Sequence, residues 1–276
     1  MMIKKLFTYS QAIFSMALAL SFSACTDEVD RDPSPVQTEG VQAYFYQDEQ
    51  TDYSFLPDEE QTFTFTIGRQ TTEAATVHLT SDNTSFTVPQ TVDFAAGEIS
   101  KEVTVTFNLE IGESASLTLT LGEGDTYTYG AAAMTFNISR DYTWVSAGTA
   151  VYTESAFGLG TGSVAIEQAK ENPSLYRLKN LYESLAGAGQ ADQVSLQFTL
   201  DEDYQALSII PSGSFFDLGV GYWFLYDAKN YPQYCYFVNE GKNFELGLII
   251  SQDQNSIVTV TTDSFIWEGW PGEDAE

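Results

Sequence analysis

Histidine occurs once, cysteine twice and basic side chains eleven times in these 276 residues, against 39 acids. Each scarcity removes a class of chemistry. A Ser-His-Asp or Cys-His catalytic site would have to be built on His78, and a histidine-rich zinc site cannot be built at all. His78 stands between Val77 and Leu79, where alternation puts it on the outward face of a strand. A formal charge of −28 repels phosphate backbones, which argues against a nucleic-acid partner. The sequence has no phosphate-binding glycine loop, Cys-x-x-Cys, EF-hand loop or histidine metal motif, so neither cofactor nor metal is expected. The carboxylates read first as a solvated acidic exterior. A glycosidase could be drawn from pairs such as Asp201 with Asp203 or Asp217 with Asp227. With 39 acids, however, such a pair carries little information.

Long hydrophobic runs are also missing. The apolar stretch at residues 12–22 follows Lys4 and Lys5 and ends at Ser23, Ala24 and Cys25. It is too short for a permanent span and has the layout of a secretory signal peptide. Its small-small-Cys ending resembles a bacterial lipobox, with Phe22 where that family favours leucine. The resemblance implies that residues 1–24 are removed and that Cys25 carries lipid, anchoring the chain to a membrane. Residues 25–40 hold five acids, two prolines and little apolar surface, the composition of a flexible tether. The run Thr26, Asp27, Glu28, Val29 and Asp30 resembles the export signal of Bacteroidetes surface lipoproteins. That resemblance implies an outer-membrane, cell-surface location. With Cys25 lipidated, only Cys235 remains, so no intramolecular disulfide can form and the fold must rest on its cores. Cys235 lies in an apolar, strand-like run and reads as a buried, inert thiol.

Removing 24 residues, two of them lysines, leaves 252 with 9 basic and 39 acidic side chains, a charge of −30. That length suits two β domains, here expected at 41–139 and 140–276. In the first, Phe63, Phe65 and Ile67 alternate with Thr62, Thr64 and Thr66. Val103, Val105 and Phe107 repeat the pattern, as do Leu117, Leu119 and Leu121, and then Met134, Phe136 and Ile138. Period-two alternation with threonine on the wet face predicts antiparallel strands buried on one side, and about seven of them predict an immunoglobulin-like sandwich. Phe94, Gly97, Lys101, Val103 and Val105 resemble the central signature of Calx-β-type domains. Some members of that family bind Ca²⁺. Here residues 86–90 depart from the Gly-x-Asp-Tyr segment expected upstream, so calcium is not carried over.

All four tryptophans lie in the second stretch, at 144, 223, 267 and 270. Trp144, Gly148 and Tyr152, followed by Asn172, Pro173, Leu175, Tyr176, Arg177 and Leu178, resemble a domain of uncharacterised Bacteroidetes surface lipoproteins. That family implies a surface location and an all-β fold, and no reaction. Strand signals continue to residue 260, with a short helical turn expected at 181–188 and a hairpin loop at 239–243. The aromatic block at residues 215–237 is the densest feature. Tyr222, Phe224 and Tyr226 alternate with Trp223 and Leu225, so one set is core and the other is exposed or covered. Exposed rings beside Asp and Asn suit sugars.

The expectation is therefore an all-β chain of two tandem β-sandwich-like domains after a lipoprotein signal and flexible tether. Its expected role is a non-catalytic, surface-exposed lipoprotein that binds a glycan through the second domain, at Tyr222, Trp223, Tyr226, Asp227, Tyr231 and Trp270. The alternatives are a structural role against an envelope protein partner and, more weakly, a carboxylate-dependent glycosidase.

Overall fold

The computed structural model describes residues 36–37, 39–185, 194–210, 214–253 and 256–274. The expected signal segment, Cys25 and most of the expected tether lie outside them. The fold is all-β, arranged in tandem β-sandwich-like units. Among the described residues there is no α-helix, and no helix is long and apolar enough to cross a membrane.

Two sheets are built from residues 43–140. One orders β1 (Ala43–Phe45), β3 (Thr62–Arg69), β7 (Ser100–Phe107) and β5 (Phe86–Thr87). The other orders β2 (Asp52–Phe55), β9 (Ala133–Arg140), β8 (Ser114–Leu121), β4 (Ala75–Ser81) and β6 (Thr91–Phe94). All pairings are antiparallel except β2 with β9. The alternation read from the sequence sets the layers. Phe63, Phe65, Ile67, Val103, Val105 and Phe107 face inward from one sheet, and Val77, Leu79, Leu117, Leu119, Leu121, Phe136 and Ile138 from the other. Each such side chain contributes about 1.5–3 kcal/mol on leaving water. Met134 packs at the margin of this core.

The remaining strands form one ten-stranded sheet. In chain order they are β10 (Trp144–Glu154), β11 (Gly160–Ala169), β12 (Asn172–Lys179), β13 (Leu196–Leu200), β14 (Ala206–Ile210), β15 (Ser214–Asp217), β16 (Gly221–Leu225), β17 (Tyr236–Glu240), β18 (Asn243–Ser251) and β19 (Ile257–Glu268). Spatially β14, β13, β12, β11 and β10 run in sequence, then β19, β18, β16 and β15, with β17 also on β18. The sheet curls back on itself. Asn239 of β17 accepts from Ala206 N–H (2.8 Å) and donates to Tyr204 O (3.3 Å), joining the β14 margin to β17 through a side chain. Among the described residues, no strand pairing links this sheet to the two of residues 43–140.

The motif of Trp144, Gly148 and Tyr152 has a structural meaning. Gly148 adopts φ +115° at a β-bulge in β10. A Cβ there would fall 3.0 Å from Glu268 O and 3.3 Å from Trp267 Nε1. The glycine thus leaves room for Trp267, which is fully buried and donates to Ala147 O (3.0 Å). Trp144 instead stays on the outer side, under the Arg177 guanidinium at 4.3 Å.

Two local expectations shift. The turn expected at 171–173 is tighter, because β12 already starts at Asn172. Residues 181–185 form consecutive turns, with Leu185 N–H donating to Tyr182 O (3.0 Å), while 186–188 lie outside the described residues. The loop at 239–243 is the β17–β18 hairpin, turning at Gly241 with φ +55°.

Candidate ligand-binding site

The residues nominated from the dense aromatic block do not converge. Tyr222 and Tyr226 are half-buried and pack against the core of the ten-stranded sheet. The Tyr222 ring lies 5.0 Å from Phe157 and 5.5 Å from buried Phe216. Trp223, on the opposite face of β16, pairs with Ser251 at one end of β18. Trp270 also packs on the core, and a Cβ on Gly241, beyond the other end of β18, would fall 3.8 Å from its ring. The nine residues of β18 put about 27 Å of strand between those places.

Asp227 and Tyr231 occupy the connection between β16 and β17. Asp227 accepts from Asn230 N–H (3.1 Å) and Nδ2 (2.6 Å), and these bonds hold its carboxyl below the usual range. Its carbonyl takes Tyr231 N–H (2.9 Å), and Tyr231 O takes Cys235 N–H (2.8 Å). Tyr231 and Tyr234 emerge from this turn about 40 % exposed. Cys235 is a buried free thiol, and burial raises its pKa.

The carboxylate pairs considered for glycoside hydrolysis serve turns. Asp201 accepts from Asp203 and Gln205 N–H, and Asp217 from Gly219 N–H. Glu154 and Asp263 are the two buried acids of the ten-stranded sheet. Glu154 accepts from Phe157 N–H (2.7 Å) and Leu159 N–H (3.0 Å). Asp263 accepts from the Tyr152 and Thr261 hydroxyls and from Ser155 N–H (2.9 Å). Burial raises the Asp263 pKa, and neither carboxylate reaches solvent. His78 is exposed and pairs with Asp125 at 2.9 Å.

A different group of aromatics does converge, in the first pair of sheets. Tyr44, Tyr46, Tyr127 and Tyr129, with Gln47 and Gln70, line an open concavity of about 330 Å³. Its construction follows from strand parity. Ala43 and Phe45 point into the core at 0 % and 1 % exposure, which turns Tyr44 and Tyr46 outward. The other side of β1 is laced to the following turn by Ala43 N–H to Asp125 O (2.7 Å), Tyr127 N–H to Ala43 O (2.8 Å) and Phe45 N–H to Ala131 O (3.0 Å). The turn closes through Gly130 N–H to Tyr127 O (3.0 Å), presenting Tyr127 and Tyr129 beside β1.

Two glycines make the platform. Gly68 lies across from Tyr44 in the β1–β3 ladder, and a Cβ on it would fall 2.7 Å from the Tyr44 ring. A Cβ on Gly130 would collide with Tyr44 Cβ. The ring is thus laid over the backbone of Gly68, its cross-strand partner on the inner strand β3. Tyr44 meets Tyr46 edge-on at 5.3 Å and Tyr127 tilted at 6.2 Å, and Tyr127 meets Tyr129 edge-on at 5.6 Å. Burial and a hydrogen bond with the Tyr46 side chain raise the Tyr44 pKa, so its phenol stays neutral. Gln37, ahead of β1 in the chain, pins the turn. Its Oε1 accepts from Thr128 N–H (2.7 Å) and Oγ1 (2.8 Å), while its Nε2 donates to Thr126 O (3.0 Å).

Two larger concavities exist on the same unit. One, of about 490 Å³, is lined by Asp52, Tyr53, Asn137 and four serines, and the other, of about 730 Å³, by threonines, His78 and Phe86. Neither gathers rings. Sequence reasoning missed the tyrosine group because it followed aromatic density. The available signal was two of the three Tyr-x-Tyr pairs, at 44 and 46 around buried Phe45 and at 127 and 129; the third, at 234 and 236, lies elsewhere.

No known family model matches this chain, and no curated protein matches it. Solved structures with low similarity include a Bacteroides ovatus protein of unknown function (TM-score 0.38, 10 % identity, covering 82 % of this chain and 89 % of that one). A Bacteroides ovatus multidomain protein including DUF1735 gives TM-score 0.32 at 9 % identity, covering 86 % and 91 %. CBD12 from CALX1.2 gives TM-score 0.32 at 11 % identity, covering 82 % and 75 %.

Proposed function

We propose that this chain is a non-catalytic lipoprotein of the bacterial envelope, anchored through Cys25 in the outer membrane and displayed at the cell surface, where it holds a glycan. The tyrosine concavity carries the ligand reading. Ring faces pack against the C–H face of a pyranose, and phenol and glutamine groups exchange hydrogen bonds with its hydroxyls. The anchor reading rests on the signal-like start and Cys25. The non-catalytic reading rests on the carboxylates weighed for hydrolysis, Asp201, Asp217 and Asp227, which bond turns, and on Glu154 and Asp263, which are buried.

Calorimetric titration of the full chain in detergent micelles against a polysaccharide panel tests the ligand reading. Saturable binding lost in Tyr129→Ala but kept in Tyr231→Ala supports it. Loss in Tyr231→Ala or Trp223→Ala alone moves the site to the second unit. The anchor is tested separately: Cys25→Ala should shift the chain from the membrane to the soluble fraction, and mass spectrometry of its N-terminal peptide should lose the acyl mass.

A second reading, contact with an envelope protein, has its own observation. β10 pairs with β19 only over Ser264–Glu268, which leaves the β10-facing edge at residues 257–261 without a ladder among the described residues. Ile257, Val258 and Val260 are exposed there, a combination suited to strand addition by a partner. Cross-linking from Val258 to another envelope protein would favour this reading.

A further inference from the structure

We infer that the tyrosine concavity selects uncharged sugar rings and rejects glycans bearing carboxylate or sulfate; this deepens the glycan reading above and rests on it. Recognition of an anionic sugar is strongest with a cation, best an arginine fork that bonds two oxygens at once. The lining has none: its polar atoms are phenol hydroxyls, glutamine amides and backbone.

Nor is one free to swing in from the described residues of the two-sheet unit. Residues 43–140 contain three basic side chains, Arg69, Lys101 and Arg140, and Arg140 donates to Leu109 O and Pro57 O (2.9 Å each). Arg69 neighbours the lining residue Gln70, yet it is 2 % exposed and committed inward. Its guanidinium donates to Glu98 O (2.6 Å), Ala95 O (2.8 Å) and Glu73 O, and lies over the Phe94 ring at 4.8 Å. Lys101 pairs with Glu98 at 3.1 Å.

The surroundings are acidic instead. Asp48 and Glu49 follow Gln47, while Glu123 and Asp125 precede Tyr127. Asp125 is turned to His78 at 2.9 Å, and the other three stand close in sequence to lining residues, where a Debye length of about 8 Å leaves repulsion only partly screened. The concavity of about 330 Å³ is at the small end for ligand pockets, so it takes about one or two rings and does not track a long chain.

The test compares related neutral and anionic polymers by calorimetry on the full chain in detergent micelles. Dextran is set against dextran sulfate, and hydroxyethylcellulose against carboxymethylcellulose, with mannan as a further neutral probe. The expected result is saturable binding of at least one neutral polymer, at least tenfold weaker binding of anionic polymers, and a gap that narrows in 1 M salt. Tyr129→Ala and Gln70→Ala, both at exposed positions, should weaken the neutral binding while leaving the melting temperature unchanged. An anionic polymer that binds as tightly as a neutral one, and loses binding in Tyr129→Ala, would overturn the selectivity and leave the glycan site standing. Neutral binding that survives both substitutions would overturn the assignment to this concavity. No heat from any polymer would overturn the glycan reading together with its selectivity.

Discussion

The two-sheet unit of residues 43–140 and the ten-stranded sheet of residues 144–268 place their largest rings differently. The ten-stranded sheet puts most of them inside, with Tyr231 and Tyr234 of the β16–β17 connection about 40 % exposed. Trp267, Tyr152, Tyr182, Phe198, Phe216, Phe224, Phe244 and Phe265 are all fully buried, and Phe244 stacks on Phe265 at 4.6 Å and 3°. The two-sheet unit fills its core with phenylalanine and aliphatics and turns Tyr44, Tyr46, Tyr127 and Tyr129 outward. A curled single sheet encloses a wide interior that large rings fill. Two facing sheets leave a thinner layer that suits branched aliphatics and phenylalanine. Aromatic density therefore marked the core, and aromatic parity marked the surface site.

Substitutions inside the ten-stranded sheet should break that contrast most visibly. Trp267→Ala removes the ring seated against the Gly148 bulge and should cost about 3–5 kcal/mol by chemical denaturation. The two buried tyrosines should then differ in sign. The Tyr152 hydroxyl donates to buried Asp263, so Tyr152→Phe leaves that carboxyl short of a donor and should cost about 1–3 kcal/mol. Among the described residues the buried Tyr182 hydroxyl has no hydrogen-bond partner, so Tyr182→Phe should be neutral or stabilise by up to about 1 kcal/mol. A large loss in Tyr182→Phe would show that its hydroxyl is satisfied after all.

Alkali should separate the units next. Burial pushes Tyr176 up to about 12, and Tyr152 and Tyr182 well above 10.0. A pKa raised in the fold means that the unfolded chain ionises first. The stability these phenols contribute is full below pH 10 and is lost as pH rises from there towards each folded value. The melting transition of the ten-stranded sheet should fall steeply above about pH 10. Tyr182→Phe should soften that fall, and an unchanged slope would count against burial as its cause.

How far the sequence reveals this molecule follows the same division. Period-two alternation identified the inward faces of β3, β7 and β8 residue by residue, because one wet face and one dry face leave a local mark. The order of the ten-stranded sheet left none. β10 pairs with β19 more than a hundred residues away, through Ala150 with Trp267 and Tyr152 with Phe265, and no local pattern encodes that distance. The lining of the concavity was half legible. Each Tyr-x-Tyr pair shows its parity, but bringing residue 44 to residue 127 depends on backbone bonds between β1 and the 125–131 segment.

The smallest effect should come from Gln37, which tests whether the exposed rings need outside support. It makes three hydrogen bonds to the turn that carries Tyr127 and Tyr129, all at a partly exposed position. Gln37→Ala should cost only about 1 kcal/mol of stability, since each such bond is worth about 0.5–1.5 kcal/mol and water replaces part of it. Its effect on binding should be larger in proportion. A turn that must be ordered by the ligand spends part of the contact energy on that ordering, so affinity should drop severalfold, mainly through faster dissociation. Gln37→Glu keeps the acceptor for Thr128 but turns a carboxylate oxygen towards Thr126 O, and should do no better than alanine. Binding unchanged in both variants would mean that ring-on-ring packing alone holds these tyrosines, as it holds the buried rings of the ten-stranded sheet.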